Sequence, residues 1–240
     1  MALKSKIEWT EATWNPVTGC SKLSEGCANC YAERLAKRLR AMGNPRYKNG
    51  FEITLHHDLV DLPLRWKEPK FIFVNSMSDL FHEKIPVSFI KKVFKTIQSA
   101  PEHIFQILTK RSSRLAELAG DLYWPENLWM GVTIESERVI KRVSDLKSTA
   151  AHVKFLSLEP LLSAVDHLST EGIDWIVVGG ESGPGCRAMK PEWVRSIRDK
   201  CLRNDIPFFF KQWGGTRKNL SGKVLDGKIW IQMPLTERVK

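Results

Sequence analysis

Six short apolar runs, most of them separated by amphipathic helical patterns, constrain the fold of this chain more than any other feature. The runs are FIFVN (71–75), HIFQILT (103–109), LWMGVTI (128–134), VKFLSLE (153–159), DWIVVGGE (174–181) and IPFFFKQW (206–213). Their length and their β-branched and aromatic content read as strands buried on both faces, the habit of parallel sheets. Between them lie PVSFIKKVFKTIQSA (86–100), SRLAELAG (113–120), SERVIKRVSDLKS (136–148) and KPEWVRSIRDKCLRND (190–205), and an initial strand is expected near IEWTEATWN. Strand followed by helix, repeated, predicts an α/β fold, either a barrel or a doubly wound sheet. No G-x-G-x-x-G turn follows the first strand, so the dinucleotide-binding sheet loses its main support. The expectation is a partial TIM-type (β/α) barrel with parallel strands over residues 1–213. The glycine-punctuated tail reads as a hairpin or flap over 214–240, part of the same domain. A chain of 240 residues with 42% hydrophobic content buries one sizeable core.

Three cysteines, Cys20, Cys27 and Cys30, fall inside the run CSKLSEGCANCYAE with the spacing C-x6-C-x2-C. Turn-prone WNPVTG precedes them and helix-forming YAERLAKRLRAM follows, which sets three thiols at the mouth of a strand-to-helix connection. Thiolates suit a soft metal centre. No fourth cysteine follows at ligand spacing, and His56 and His57 lie well downstream. A structural zinc site is closed by four protein ligands, whereas an iron–sulfur cubane on three cysteines keeps one iron open. An iron–sulfur cluster is the first expectation, zinc with a distant fourth ligand the second, and uncoordinated or disulfide-linked cysteines the third. Cys201, in a helical pattern, reads as a core residue, and Cys186, in GGESGPGCRAMKP, as a more exposed one. Five cysteines are an odd number for a secreted disulfide framework. No signal-length apolar stretch follows Met1 and no run nears the ~20 apolar residues that span a bilayer, so a soluble cytoplasmic protein without a membrane partner is expected.

In a parallel α/β barrel the C-terminal strand ends build the active site. Here they are dense in polar residues. The first run ends in Asn75, Ser76, Ser78 and Asp79, the second in Thr109, Lys110 and Arg111, and later ones in Thr133 with Glu135, Ser157 with Glu159, Glu181 with Ser182, and Lys211 with Gln212. Bland readings stand beside each. Ser112 or Ser113 caps a helix, Asp79 and Glu135 are helix-start charges, and Glu159 and Glu181 are exposed or paired. A formal net charge of +10 points to a polyanionic partner. Lys110, Arg111, Arg187, Lys190, Lys211 and Arg217 are expected near one end of the barrel, where they would form an electrostatic funnel.

WNPVTGCSKLSEGCANCYAE, FVNSMSDLFHE, FLSLEPLL, DWIVVGGESGPGCRAM and FFFKQWGG together resemble the phage- and prophage-associated three-cysteine-motif family, which has no assigned function and is similar to radical S-adenosylmethionine (SAM) enzymes. The resemblance spans almost the whole chain. It implies a partial TIM-type barrel with a [4Fe-4S] cluster in the loop after the first strand, held by Cys20, Cys27 and Cys30. Asn75, Ser76, Ser78 and Asp79 are then expected around SAM, and Lys110, Glu135, Glu159 and Glu181 in the catalytic pocket. The implied reaction is reductive cleavage of SAM to a 5′-deoxyadenosyl radical, with an external one-electron donor and a nucleic acid or nucleotide-type substrate. The usual motif of those enzymes is C-x3-C-x2-C, three residues shorter in its first interval, and their Gly-Gly-Glu-like segment after the second strand is replaced here by NSMSD.

A competing expectation is a non-catalytic zinc or iron–sulfur nucleic-acid-binding phage protein. Its support is the basic charge and the prospect of exposed rings at Trp14, Trp66, Trp124 and Trp213.

Overall fold

The computed structural model describes residues 5, 7–216 and 222–235. Its chain order is β1 (Ala12–Trp14), β2 (Val17–Thr18), α1 (Tyr31–Ala41), β3 (Thr54–Leu55), β4 (Phe71–Val74), α2 (Val87–Gln98), β5 (Ile104–Thr109), α3 (Ser112–Leu118), β6 (Leu128–Thr133), α4 (Arg142–Lys147), β7 (Val153–Leu158), β8 (Trp175–Gly179), α5 (Pro191–Arg203), β9 (Phe208–Gln212), β10 (Val224–Leu225) and β11 (Lys228–Ile229). Seven strands form one sheet in the order β1-β4-β5-β6-β7-β8-β9. Every pairing in it is parallel. The sheet curls into a half-barrel, the partial TIM-type architecture expected from the strand and helix alternation.

All six residues of β6 and all five of β8 are buried, as expected for strands covered on both faces. Alternate side chains go to two cores. On the helix side, Ile72, Val74, Met130, Val132, Leu156, Ile176 and Phe210 pack with Ile90 and Val93 of α2 and Val194 and Ile197 of α5. The opposite side chains, Phe73, Trp129, Phe155, Trp175, Val177 and Phe209, fill the inside of the curl together with Trp9. Trp9 stacks edge-on against Phe73 at 4.8 Å and Trp175 at 5.8 Å. Fully burying one such ring contributes roughly 1.5–3 kcal/mol. Gly131 sits on the inner face because a Cβ there would lie 2.5 Å from the Phe155 ring.

Further along the same strands the inner face changes character. Two residues beyond Phe73 is Asn75, beyond Leu108 is Lys110, beyond Gly131 is Thr133, beyond Phe155 is Ser157 and beyond Phe209 is Lys211. The aromatic plug thus fills the N-terminal half of the curl and leaves a polar mouth at the C-terminal strand ends.

Several local expectations change. The pattern over 136–148 yields only α4, preceded by a single 3-10 turn at Glu137–Val139, because Glu135 and Ser136 are tied elsewhere. Ser112 does not cap α3; its hydroxyl donates to Asp145 at 2.7 Å. Trp14 is fully buried with its indole N–H on Leu59 O, and Trp66, Trp124 and Trp213 pack half-buried against the main core, so none of the four is a free stacking platform. In the tail, β10 and β11 form an antiparallel hairpin, and residues 230–232 bond back to β9 along the sheet edge. No described helix is long and apolar enough to cross a membrane.

Candidate functional site

The cysteine loop leaves β2, which pairs with β3, and runs to α1. Gly19 sets its start: φ is +89° and a Cβ would lie 2.1 Å from Glu52 O, so no other residue fits without moving the chain. Gly19 N donates to Met77 O at 3.0 Å and Cys20 N to Phe51 O at 3.1 Å. Cys27 closes the 3-10 turn Glu25–Cys27, and Cys30 is the residue before α1. Good helix formers with Glu33 in the first turn carry α1 onward, and Gly43 at a φ of +72° follows its end. All three cysteines are free and half-buried. Among the described residues, no three His, Cys, Asp or Glu side chains are arranged to hold a metal ion. The donor chemistry fits an iron–sulfur cluster, with three free thiols on one loop beside the barrel mouth.

Three sets of interactions hold that loop. The first is Arg111, buried after β5. Its guanidinium donates to Cys20 Sγ at 3.5 Å, to Ser21 O and Oγ at 3.1 and 3.0 Å, to Asp79 Oδ2 at 3.3 Å and to Glu83 at 3.0 and 3.1 Å. Ser21 Oγ also meets His82 Nε2 at 2.8 Å. His82 Nδ1 accepts from Lys84 N, so Nε2 carries the proton, and burial followed by Arg111 lowers the His82 pKa. Burial pushes the Cys20 thiol up to about 11, with Asp79 adding to the rise and Arg111 opposing it.

The second is Glu135, just past β6 and completely buried. It accepts from Ser24 Oγ of the cysteine loop and from Arg142 Nη1 at 2.7 Å. A Cβ on Gly26 would lie 3.1 Å from its carboxylate, so the loop backbone rests on it. Ser136 Oγ donates to Glu25 Oε1 at 2.5 Å.

The third is Glu181, past β8. Its carboxylate accepts from Asn29 Nδ2 at 3.0 Å and from Arg187 N, Nε and Nη2 at 2.9, 2.9 and 2.5 Å. Burial works against ionisation, but the Arg187 guanidinium and N–H and the Asn29 amide bring its pKa down to about 2. Arg187 Nη2 also reaches Glu25 O at 2.9 Å, and Asn29 donates to Gly185 O, which brings the half-buried Cys186 loop against the cysteine loop. Glu135 and Glu181, expected in a catalytic pocket, thus lie under the loop with their oxygens engaged.

The NSMSD segment is built against the chain on both sides of the cysteines. Ser76 Oγ donates to Asn15 Oδ1 at 3.2 Å, Ser78 Oγ to Val17 O at 2.9 Å, and Tyr31 OH to Ser76 O at 2.5 Å. Asp79 accepts from Phe81 N, Thr109 Oγ1, Lys110 N and Arg111 Nη1, at 3.0, 2.7, 3.0 and 3.3 Å. Four donors fill the lone-pair sites a carboxylate offers. Asn75 differs. It is 4% exposed, has a φ of 60°, accepts weakly from Val17 N at 3.4 Å, and leaves its buried Nδ2 without a partner. That orphaned donor suits an acceptor group of a bound cofactor.

Across the mouth, Lys211 Nζ donates to both oxygens of Glu159 at 2.7 and 2.9 Å, and Gln212 Nε2 adds 3.3 Å. Gly179 makes room for that carboxylate. Of the cations expected to form a funnel, Arg111, Arg187 and Lys211 are each matched by a carboxylate, Lys190 lies 5.6 Å over the Trp193 ring, and Arg217 lies outside the described residues. Ser24, Asn29 and Arg142 were not legible as site residues, since each acts through a partner far off in sequence or through an unremarkable helix start. Cys201 is fully buried, and burial pushes its thiol up to about 12.

The family described as Protein of unknown function (DUF5131) matches residues 4–234. Comparison with curated proteins finds no match. Among solved structures, a spore photoproduct lyase variant with bound AdoMet and dinucleoside spore photoproduct is similar, with a TM-score of 0.52 and 15% identity over 83% of this chain. A second spore photoproduct lyase variant gives a TM-score of 0.48 at 16% identity, again over 83% of this chain. This chain spans 63% of the length of each. At such identity the likeness is one of fold.

Proposed function

We propose that this chain, which belongs to the DUF5131 family of unknown function, is a radical SAM-like iron–sulfur enzyme acting on a nucleic acid or nucleotide-type substrate. One observation carries the reading: a parallel half-barrel places three free cysteines of a single loop beside a polar mouth at the C-terminal strand ends. The fold likeness to a spore photoproduct lyase bound to AdoMet and a dinucleoside supports both the cofactor and the substrate class. Cys20, Cys27 and Cys30 would hold a [4Fe-4S] cluster, which with SAM supplies one-electron reductive cleavage and hydrogen abstraction from substrate, given an external electron donor.

The chain's own residues supply position. Arg111 fixes the Cys20 and Ser21 end of the loop, Glu135 its middle through Ser24, and Glu181 with Arg187 the stretch around Glu25 and Asn29. Asn75 Nδ2 is the donor left for the SAM carboxylate, with the Ser76 and Ser78 hydroxyls beside it and Asp79 acting through Arg111. Lys110 and the Glu159–Lys211 pair face the mouth and are left to orient the substrate. The aromatic plug fills the far end of the curl.

Anaerobic reconstitution with iron and sulfide tests this reading. About four irons per chain, with an EPR signal that SAM alters, supports it. A colourless protein that retains zinc and ignores SAM replaces it with the non-catalytic binding protein.

A further inference from the structure

We propose that a cleft beside the cysteine loop, sharing Lys110 with the mouth, holds the phosphate backbone of a nucleic-acid strand. The proposal rests on the nucleic-acid reading of the function and gives it a second contact surface. The cleft has a volume of about 290 Å³ and is walled by Leu23 of the cysteine loop, Lys110 and Arg111 after β5, Arg114 of α3, and Val139 and Lys141 before α4.

Charge selects the ligand. Arg142 also lines the cleft, so five cations face two carboxylates, Glu83 and Asp145. Three of the five are matched: Arg111 by Asp79 and Glu83, Arg142 by Glu135, and Lys141 by Asp145 at 2.8 Å. Two are not. Arg114 donates to the carbonyls of His82 and Ile85, which hold its guanidinium in place without neutralising it. The Lys110 ammonium makes no hydrogen bond or ion pair among the described residues. Two uncompensated positive charges, one turn of chain apart, fit a phosphodiester, which offers a full negative charge and several acceptor oxygens.

The walls favour a strand over a small anion. Leu23 is 49% exposed and Val139 stands beside it, giving sugar and base an apolar surface that inorganic phosphate cannot use. The cleft also shares Arg111 with Cys20, whose Sγ lies 3.5 Å from the guanidinium. A strand bound here runs alongside the cysteine loop, with its neighbouring nucleotides in reach of the mouth.

Anisotropy of a short fluorescein-labelled single-stranded DNA, titrated with the reconstituted protein at two salt concentrations, tests the proposal. Wild-type binding should weaken with salt, and Lys110→Glu and Arg114→Gln should each lower affinity ~10-fold and flatten the salt slope by ~0.7 for each phosphate no longer neutralised. Lys91→Glu and Lys92→Gln, on the exposed face of α2, match the charge changes of the two variants in turn and should change little. Salt-dependent binding that ignores Lys110→Glu and Arg114→Gln overturns the cleft while leaving the nucleic-acid reading in place. Displacement of the strand by equimolar nucleoside monophosphate overturns the strand in favour of a free nucleotide. No binding by wild type removes the nucleic-acid reading itself, and the cleft with it.

Discussion

Arg111 Nη1 lies 3.5 Å from Cys20 Sγ, although the two residues are 91 positions apart in the chain. The same guanidinium spans Ser21, Asp79 and Glu83, so the end of β5 and the start of the cysteine loop are one bonded unit. Replacing Arg111 by Leu should cost roughly 3–5 kcal/mol, because Asp79 loses its counter-charge in a buried site. Lysine should not rescue it, since a point charge cannot reproduce the forked contacts. Thermal melts and iron analysis of Arg111→Leu and Arg111→Lys check both statements, and wild-type iron content in either variant would remove Arg111 from the loop's support.

Alanine at Cys20, Cys27 or Cys30 should abolish iron binding, whereas alanine at the core residue Cys201 should not. Iron and sulfide content after anaerobic reconstitution separates the four variants. Equal iron in all of them would end the cluster assignment.

Glu135 and Arg142 form a buried pair beneath the loop. Glu135→Ala alone should destabilise the protein by roughly 3–5 kcal/mol, leaving Arg142 unmatched, and Glu135→Ala with Arg142→Met should cost clearly less than the two single changes added. Urea denaturation of the cycle reports the coupling. Additive losses would mean that the pair contributes nothing beyond its packing.

The Glu181 carboxylate titrates at about 2 in the folded protein against an ordinary value of 4.5. A lowered folded pKa means that the contribution to stability is fully present above the ordinary value and disappears as pH falls toward the folded one. The melting temperature of wild type should therefore fall through that acid window, and Glu181→Gln should be less stable at neutral pH with a shallower acid decline. Parallel slopes for the two proteins would contradict the assignment.

Asn75→Asp keeps the side-chain acceptor and the tolerance of a φ near 60° but replaces the unpartnered donor by an oxygen. Iron content should stay unchanged while SAM affinity falls about 10- to 100-fold, the worth of one hydrogen bond to a charged group. Calorimetry of the reconstituted variant measures it, and unaltered SAM affinity would return Asn75 to a purely local role in the turn.

The strands were legible because burial on both faces writes itself into a short stretch. LWMGVTI and VKFLSLE each match a strand to within one residue, at Leu128–Thr133 and Val153–Leu158. The helix expected over 136–148 was shorter than its pattern, since Ser136 and Glu135 are drawn into bonds with Glu25 and Ser24, 111 residues earlier in each case. The cysteines themselves stand out by chemistry and spacing. Of their supports, Glu135 and Glu181 stood out only as pocket carboxylates, because their partners are far off in the chain, and Arg142 looks locally like an ordinary helix-start charge.

The amino-acid sequence by itself determined the parallel α/β architecture, the loop of three thiols after the first strands and the crowding of polar residues at one end of the sheet, all of which depend on periodicity and composition over a few residues. Only the tertiary structure decided which of those polar residues remain available. Curling the sheet brought Asp79 onto Arg111, Glu135 onto Ser24 and Arg142, Glu181 onto Asn29 and Arg187, and Glu159 onto Lys211, while Asn75 Nδ2 and the Lys110 ammonium were left without partners among the described residues. A charge buried on closing a fold must find its counter-charge, and the nearest one in space is set by strand order and curvature rather than by neighbours in the chain.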